Sequence, residues 1–153
     1  MLSLTLYNAT RTPVQEKLFT DLLPIAARVL KNEARTPAGR KWELELTLIG
    51  NTRMTQLNTH YHNKNRPTDV ISLSYFDPEV PDPLVGEIFI SLPYARVQAQ
   101  KIGQSVDEEL RFLFVHGLLH VFGYDHMKSD EEAEMLTLTY KILGRTDPAV
   151  RPA

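Results

Sequence analysis

The amino-acid sequence predicts an α+β domain: one roughly four-stranded mixed sheet covered by helices, with one helix buried deep in the fold. Three observations carry this. Short early segments alternate apolar and polar residues, the period-two mark of a strand. Strands and single helices are interspersed as far as Ser91, and helices alone follow. The segment 106–121 is apolar almost all round (Leu110, Phe112, Leu113, Phe114, Val115, Leu118, Leu119, Val121), as a helix enclosed by its neighbours must be.

Taken in order, Leu2, Leu4 and Leu6 alternate with Ser3 and Thr5 and predict the first strand. Thr12-Pro13 has the form of an N-cap followed by proline in a first helical turn. Val14, Leu18, Leu22, Ile25 and Val29 continue at helical spacing. Pro24 falls inside that pattern and is expected to kink or split the helix, because its ring removes a hydrogen bond and crowds the preceding turn. After a loop at 36–39, Trp42, Leu44, Leu46 and Leu48 alternate with Glu43, Glu45 and Thr47, a half-buried strand. Residues 51–61 predict a short helix with Met54, Leu57 and Tyr61 on one side. A third strand begins at Val70, a proline-rich turn region covers 77–83, and a fourth strand covers 85–91. A helix over 91–103 stops at Gly103. Ser105 and Glu108 form a capping box that opens the apolar helix, and Ser129 and Glu132 repeat the signal before a last helix closed by Gly144.

The chain has 153 residues, which suits one domain over 1–153. Its apolar fraction of 42% is too high for a disordered segment. Seventeen basic and nineteen acidic side chains leave a net charge of −2, which excludes coating nucleic acid by bulk charge while permitting a local basic patch. Cysteine is absent, so thiolate zinc sites, iron–sulfur clusters, thiol nucleophiles and disulfides are excluded. Any transition metal must be held by histidine, aspartate or glutamate. The N-terminus lacks a signal-peptide pattern, and no run approaches the roughly eighteen apolar residues that cross a bilayer. The expected compartment is the cytoplasm, with no membrane partner.

The chemistry concentrates in the apolar helix. His116 and His120 stand four residues apart, so their side chains share one face. Gly123 follows, where the helix can stop with positive φ, and His126 comes three residues later. Two helical imidazoles and a third returning after a glycine turn can converge on one tetrahedral ion, leaving a fourth position for water. The spacing is that of the metzincin pattern HExxHxxGxxH, with one departure. Gly117 stands where that pattern has its general-base glutamate, so peptide hydrolysis by the usual route is not expected. Burial of unpaired imidazoles is costly, which favours metal binding by His116, His120 and His126 over incidental core histidines.

The string HGLLHVFGYDH, with Glu131, Glu132 and Met135 downstream, resembles the HGxLHxxGYDH signature of the YbeY family, the bacterial rRNA-maturation endoribonucleases. A second block agrees: Leu57, Asn58, Tyr61, Lys64 and the run Pro67-Thr68-Asp69-Val70-Ile71-Ser72 resemble the family's stretch ending in PTDVLSF. The resemblance spans about residues 42–143 and adds Val85-Gly86-Glu87-Ile88 as the family's LGDI strand. It implies one zinc ion per chain on His116, His120 and His126, and cleavage of single-stranded rRNA. It also implies 16S rRNA 3′-end maturation and ribosome quality control, with the small ribosomal subunit and its assembly factors as partners. The family's arginine after the tyrosine falls at His62 here, and the aspartate after the lysine at Asn65.

The residues themselves leave several assignments open. His62, Lys64 and Arg66 form a short basic loop that could contact phosphates or simply face solvent. His62 is the one candidate for a catalytic role outside the metal ligands. Asp69 and Asp125 read either as turn residues or as carboxylates orienting a ligand histidine. Tyr124 reads as packing, and Tyr75-Phe76 as packing or as a base-stacking pair. Two other functions fit the same residues: a ribosome assembly factor with a structural zinc, and a metallohydrolase of peptides or small molecules.

Overall fold

Four strands, Leu2–Asn8 (β1), Trp42–Ile49 (β2), Val70–Ser74 (β3) and Leu84–Ser91 (β4), form one sheet in the order β1-β2-β4-β3. β1, β2 and β4 run parallel and β3 runs antiparallel to β4, so the sheet is mixed as predicted. The computed structural model describes residues 1–33, 40–80, 82–125 and 128–145. The loop expected at 36–39 and the histidine at position 126 lie outside the described residues.

Six helices accompany the sheet among the described residues: Lys17–Thr20 (α1), Leu23–Asn32 (α2), Asn51–His62 (α3), Leu92–Ile102 (α4), Val106–Val121 (α5) and Ser129–Leu143 (α6). The strand register decides which face is greasy. Leu4 lies opposite Leu44, Leu6 opposite Leu46, and Leu46 opposite Ile88, so the alternating leucines of the sequence meet on one side. That side forms the main core with Phe19, Leu30, Leu92, Phe114, Leu118 and Ile142, drawn from α1, α2, α4, α5 and α6. α3 takes the other side, where Met54 and Leu57 pack with Ile49 and Ile71.

Pro24 splits the N-terminal helix, one of the two outcomes expected: it sits in the first turn of α2, where its missing N–H costs nothing, and the chain breaks into α1 and α2. Two local expectations are corrected. Thr12 caps no helix. Its hydroxyl accepts a hydrogen bond from Arg96 of α4 at 2.8 Å, and α1 starts only at Lys17, so a long-range contact overrides the local signal. Ser129 lies inside α6 as its first residue, because the Lys128 carbonyl already accepts the first helical bond from Glu132 at 2.9 Å. By contrast, Ser105 caps α5 as predicted, its Oγ accepting from the Glu108 amide at 3.1 Å.

α5 lies across β3 and β4 with almost no clearance. A Cβ at Gly117 would stand 2.9 Å from Cγ2 of Ile88, and one at Gly86 would stand 2.6 Å from both Val121 methyls. The Ser74 hydroxyl donates to the Val121 carbonyl at 2.6 Å and ties β3 to the end of the same helix. Two glycines, one on each surface, therefore set the helix–sheet distance. Gly117→Ala should destabilise the fold by about 1–3 kcal/mol in chemical denaturation, as overpacking of a filled core does. Combined with Ile88→Ala, which removes the opposing methyl, the cost should be smaller than the sum of the two single changes.

Candidate metal centre

The all-round burial of α5 fixes which way its few polar side chains point. Leu113, Phe114, Val115, Leu118, Leu119 and Val121 are buried, while His116 and His120 are half-buried on the remaining face. Their rings meet edge to face with centroids 4.8 Å apart, and the two Nε2 atoms approach to 3.2 Å. Phe112, one turn earlier, lies nearly parallel to the His116 ring at 6.0 Å and limits its rotation.

This geometry tests whether a metal fits. Two imidazole nitrogens on a tetrahedral ion at about 2.0–2.1 Å are separated by about 3.3 Å. The observed 3.2 Å matches that edge of a tetrahedron, and neutral imidazole is a preferred zinc donor. Among the described residues, no group of three histidine, aspartate or glutamate side chains could hold a metal ion. The described donors are the pair.

The chain beyond α5 is held in a defined turn. Gly123 takes φ +94°, its amide donates to the His120 carbonyl at 3.0 Å, and the Tyr124 amide returns to Leu119 at 3.0 Å. Both bonds belong to a Schellman stop, in which the buried Tyr124 packs back toward Leu119. Tyr124 is thus core, as read from sequence, and Asp125 emerges exposed one residue before position 126.

The histidines open onto a cleft of about 780 Å³ that is also lined by His62, Lys64, Arg66, Asp69 and Tyr94. The basic loop owes its place to the end of α3. Asn63 adopts the left-handed conformation at φ 54°, and the Lys64 amide turns back to the Asn58 carbonyl at 3.3 Å. The Asn58 side chain, buried, donates to the Arg66 carbonyl at 2.8 Å. The loop is thus pinned at both ends; its three basic side chains are exposed and line the same cleft as the paired imidazoles. The Asp69 carboxylate accepts from the Val70 amide at 2.7 Å and from Gln98 of α4 at 3.1 Å, while its own carbonyl accepts from Ser91 at 3.0 Å. These bonds lock the loop to β4 and α4.

Sequence reading assigned no role to three contributors, although Asn58 belongs to the stretch that carries the family resemblance. Asn58 carried a signal, an amide on the otherwise apolar side of α3. Tyr94 and Gln98 carried none, since only the packing of α4 beside the loop brings them there. Tyr75 and Phe76 are elsewhere. The Tyr75 hydroxyl donates to Glu87 on the outer sheet face, a bond that holds the phenol's pKa up at about 12. Phe76 packs on Trp42 and Phe122. Glu45, opposite Glu87 on the same face, has its carboxyl pKa raised by partial desolvation and by Glu87.

Imidazoles paired at metal-binding distance share one cleft with Lys64 and Arg66, a combination whose chemistry suits a metal ion and a phosphate-bearing ligand. Similarity to known proteins narrows it. The family model described as Endoribonuclease YbeY matches residues 7–147. The endoribonuclease YbeY of Halalkalibacterium halodurans is 40% identical over 147 residues, covering 90% of this chain and 89% of that one. That of Streptococcus pyogenes is 40% identical over 144 residues, covering 80% and 82%. The chain belongs to the endoribonuclease YbeY family. A Thermotoga maritima protein solved in solution shares the fold, with a TM-score of 0.60 at 21% identity over 99% of this chain and 100% of that one. Family membership carries a general dependence on metal and an RNA substrate. No described helix is long and apolar enough to cross a membrane.

If the pair is a metal site, untagged protein titrated with zinc should bind close to one equivalent. His116→Ala and His120→Ala should each lose most of that affinity, and so should His126→Ala. Unchanged zinc occupancy in His120→Ala would remove the assignment.

Proposed function

We propose that the chain, acting as one domain over 1–153, is a zinc-dependent endoribonuclease that cuts single-stranded rRNA. Its cellular role in this reading is 16S rRNA 3′-end maturation and ribosome quality control, in the cytoplasm, in contact with the small ribosomal subunit and its assembly factors. The observation that carries the proposal is one juxtaposition: two imidazole nitrogens 3.2 Å apart in the same cleft as His62, Lys64 and Arg66.

The division of labour follows from chemistry. His116, His120 and His126 would hold the zinc. When bound there, zinc supplies a positive charge that stabilises phosphate oxygens and acidifies water. Lys64 and Arg66 hold the flanking phosphates, and Arg66 can do so with two parallel hydrogen bonds. Asn58 and Asp69 keep the loop's backbone in place, so the Cα positions that carry the cations are set before RNA binds. The net charge of −2 leaves affinity to these few contacts, and a single strand, which can splay its bases, suits the cleft better than a duplex.

The peptidase reading meets a steric objection. Gly117 faces Ile88 of β4, where a Cβ would come within 2.9 Å of a methyl, so a glutamate at that position would force Ile88 or the helix to shift. The assembly-factor reading is separated by experiment. Wild-type protein of known zinc content should cleave a single-stranded rRNA fragment, with a perfect duplex cut far more slowly, and His120→Ala should not cleave it. His62→Arg should bind RNA at least as tightly at pH 7.5, because arginine keeps its charge there. Binding without cleavage by zinc-loaded protein would leave a non-catalytic role.

A further inference from the structure

Phosphate grips explain how a strand is held, but they do not read a base. Bases are held in single strands chiefly by stacking on aromatic rings. The chain has six tyrosines, and five are committed elsewhere or lie outside the cleft. Tyr124 is buried in the core, Tyr140 packs against Phe112, and Tyr75 bonds to Glu87. Tyr61 meets His60 edge to face at 4.6 Å, and Tyr7 stands exposed on β1. Among the described residues Tyr94 alone of the tyrosines lines the cleft, and apart from histidines it is the only aromatic side chain that does so.

Its setting suits a platform. Tyr94 sits in the first turn of α4, where its amide is fixed by the Ser91 hydroxyl at 3.3 Å and Pro93 stiffens the backbone. Ser91 is itself held by Asn51 at 2.6 Å, so the ring's anchor is tied to the start of α3. Asn58, Lys64 and Asp69 have main-chain or side-chain bonds that fix the walls around it. Among the described residues, no hydrogen bond or ring contact engages the Tyr94 side chain, which is half-buried and keeps exposed surface toward the cleft. An aromatic ring anchored at its backbone, unpartnered at its face and placed beside phosphate-binding cations is equipped to receive a nucleobase.

We infer that Tyr94 is the base-stacking residue of this cleft, holding one base of a single-stranded RNA while Lys64 and Arg66 hold its backbone. Stacking tolerates any base and favours the larger rings, so the subsite prefers a purine. The inference rests on the RNA reading of the site, but it concerns binding and is tested apart from cleavage. Binding of the full-length protein to a short single-stranded RNA of mixed sequence is measured by fluorescence anisotropy. Tyr94→Ala should bind on the order of tenfold more weakly, and Tyr94→Phe within about twofold of wild type. On the same RNA with abasic nucleotides throughout, wild type and Tyr94→Ala should bind alike. A Tyr94→Trp variant should show its emission quenched by the RNA, and Trp42, buried in the core, should contribute a constant background.

Tyr94→Ala binding as tightly as wild type would overturn the inference, and so would an equal loss on the abasic strand or a wild type that binds no RNA. Wild-type protein that cuts RNA while Tyr94→Ala binds normally defeats this inference alone. Protein that binds with the predicted Tyr94 dependence and never cuts defeats the nuclease reading alone.

Discussion

The contact on which the site depends is the closure of α5 onto the sheet at Gly117 and Ile88, where a Cβ would have only 2.9 Å. Alanine or anything larger there would force Ile88 or the helix that carries His116 and His120 to shift. Gly86 under Val121 keeps the far end of the helix equally low. The closeness is held by burial of the surrounding apolar side chains, each contributing on the order of 1.5–3 kcal/mol when fully enclosed. The same contact explains why the motif's second position is glycine: the space a glutamate would need is occupied by β4.

From this floor the cleft is completed by a loop held through its own hydrogen bonds. The left-handed Asn63 reverses the chain after α3, Asn58 pins Arg66 by its carbonyl, and Asp69 clamps the loop to Gln98. The result is a basic loop whose backbone is fixed by side-chain amide and carboxylate hydrogen bonds, with no salt bridge to it among the described residues. That suits a chain of net charge −2, which cannot draw a polyanion by its overall field and relies on a few short-range contacts.

The sheet and α5 were legible in the sequence because each buries one surface whose period is its own: Trp42 to Leu48 at two, Leu110 to Val121 at nearly every position. The paired histidines were legible for the same reason, since four residues on a helix means one face. What was not legible is non-local. Thr12 looked like a cap until Arg96 of α4 took its hydroxyl. The role of Gly117 is invisible without Ile88, and Tyr94 reaches the cleft only through the placing of α4 beside the 62–72 loop. His62, Lys64 and Arg66 could be read as basic but not as sharing a cleft with the histidines, because a loop's direction is set by its anchors, and Asn58 lies on another element.

The central claim is that α5 and the turn after it present imidazole nitrogens to one tetrahedral zinc ion. Zinc-edge X-ray absorption on the loaded protein tests this most directly, because it counts the donors and measures their distances in solution. The account predicts a four-coordinate zinc with three imidazole donors at about 2.0–2.1 Å, and loss of imidazole scattering in His120→Ala. A zinc spectrum dominated by oxygen donors, or one identical in wild type and His120→Ala, would contradict it.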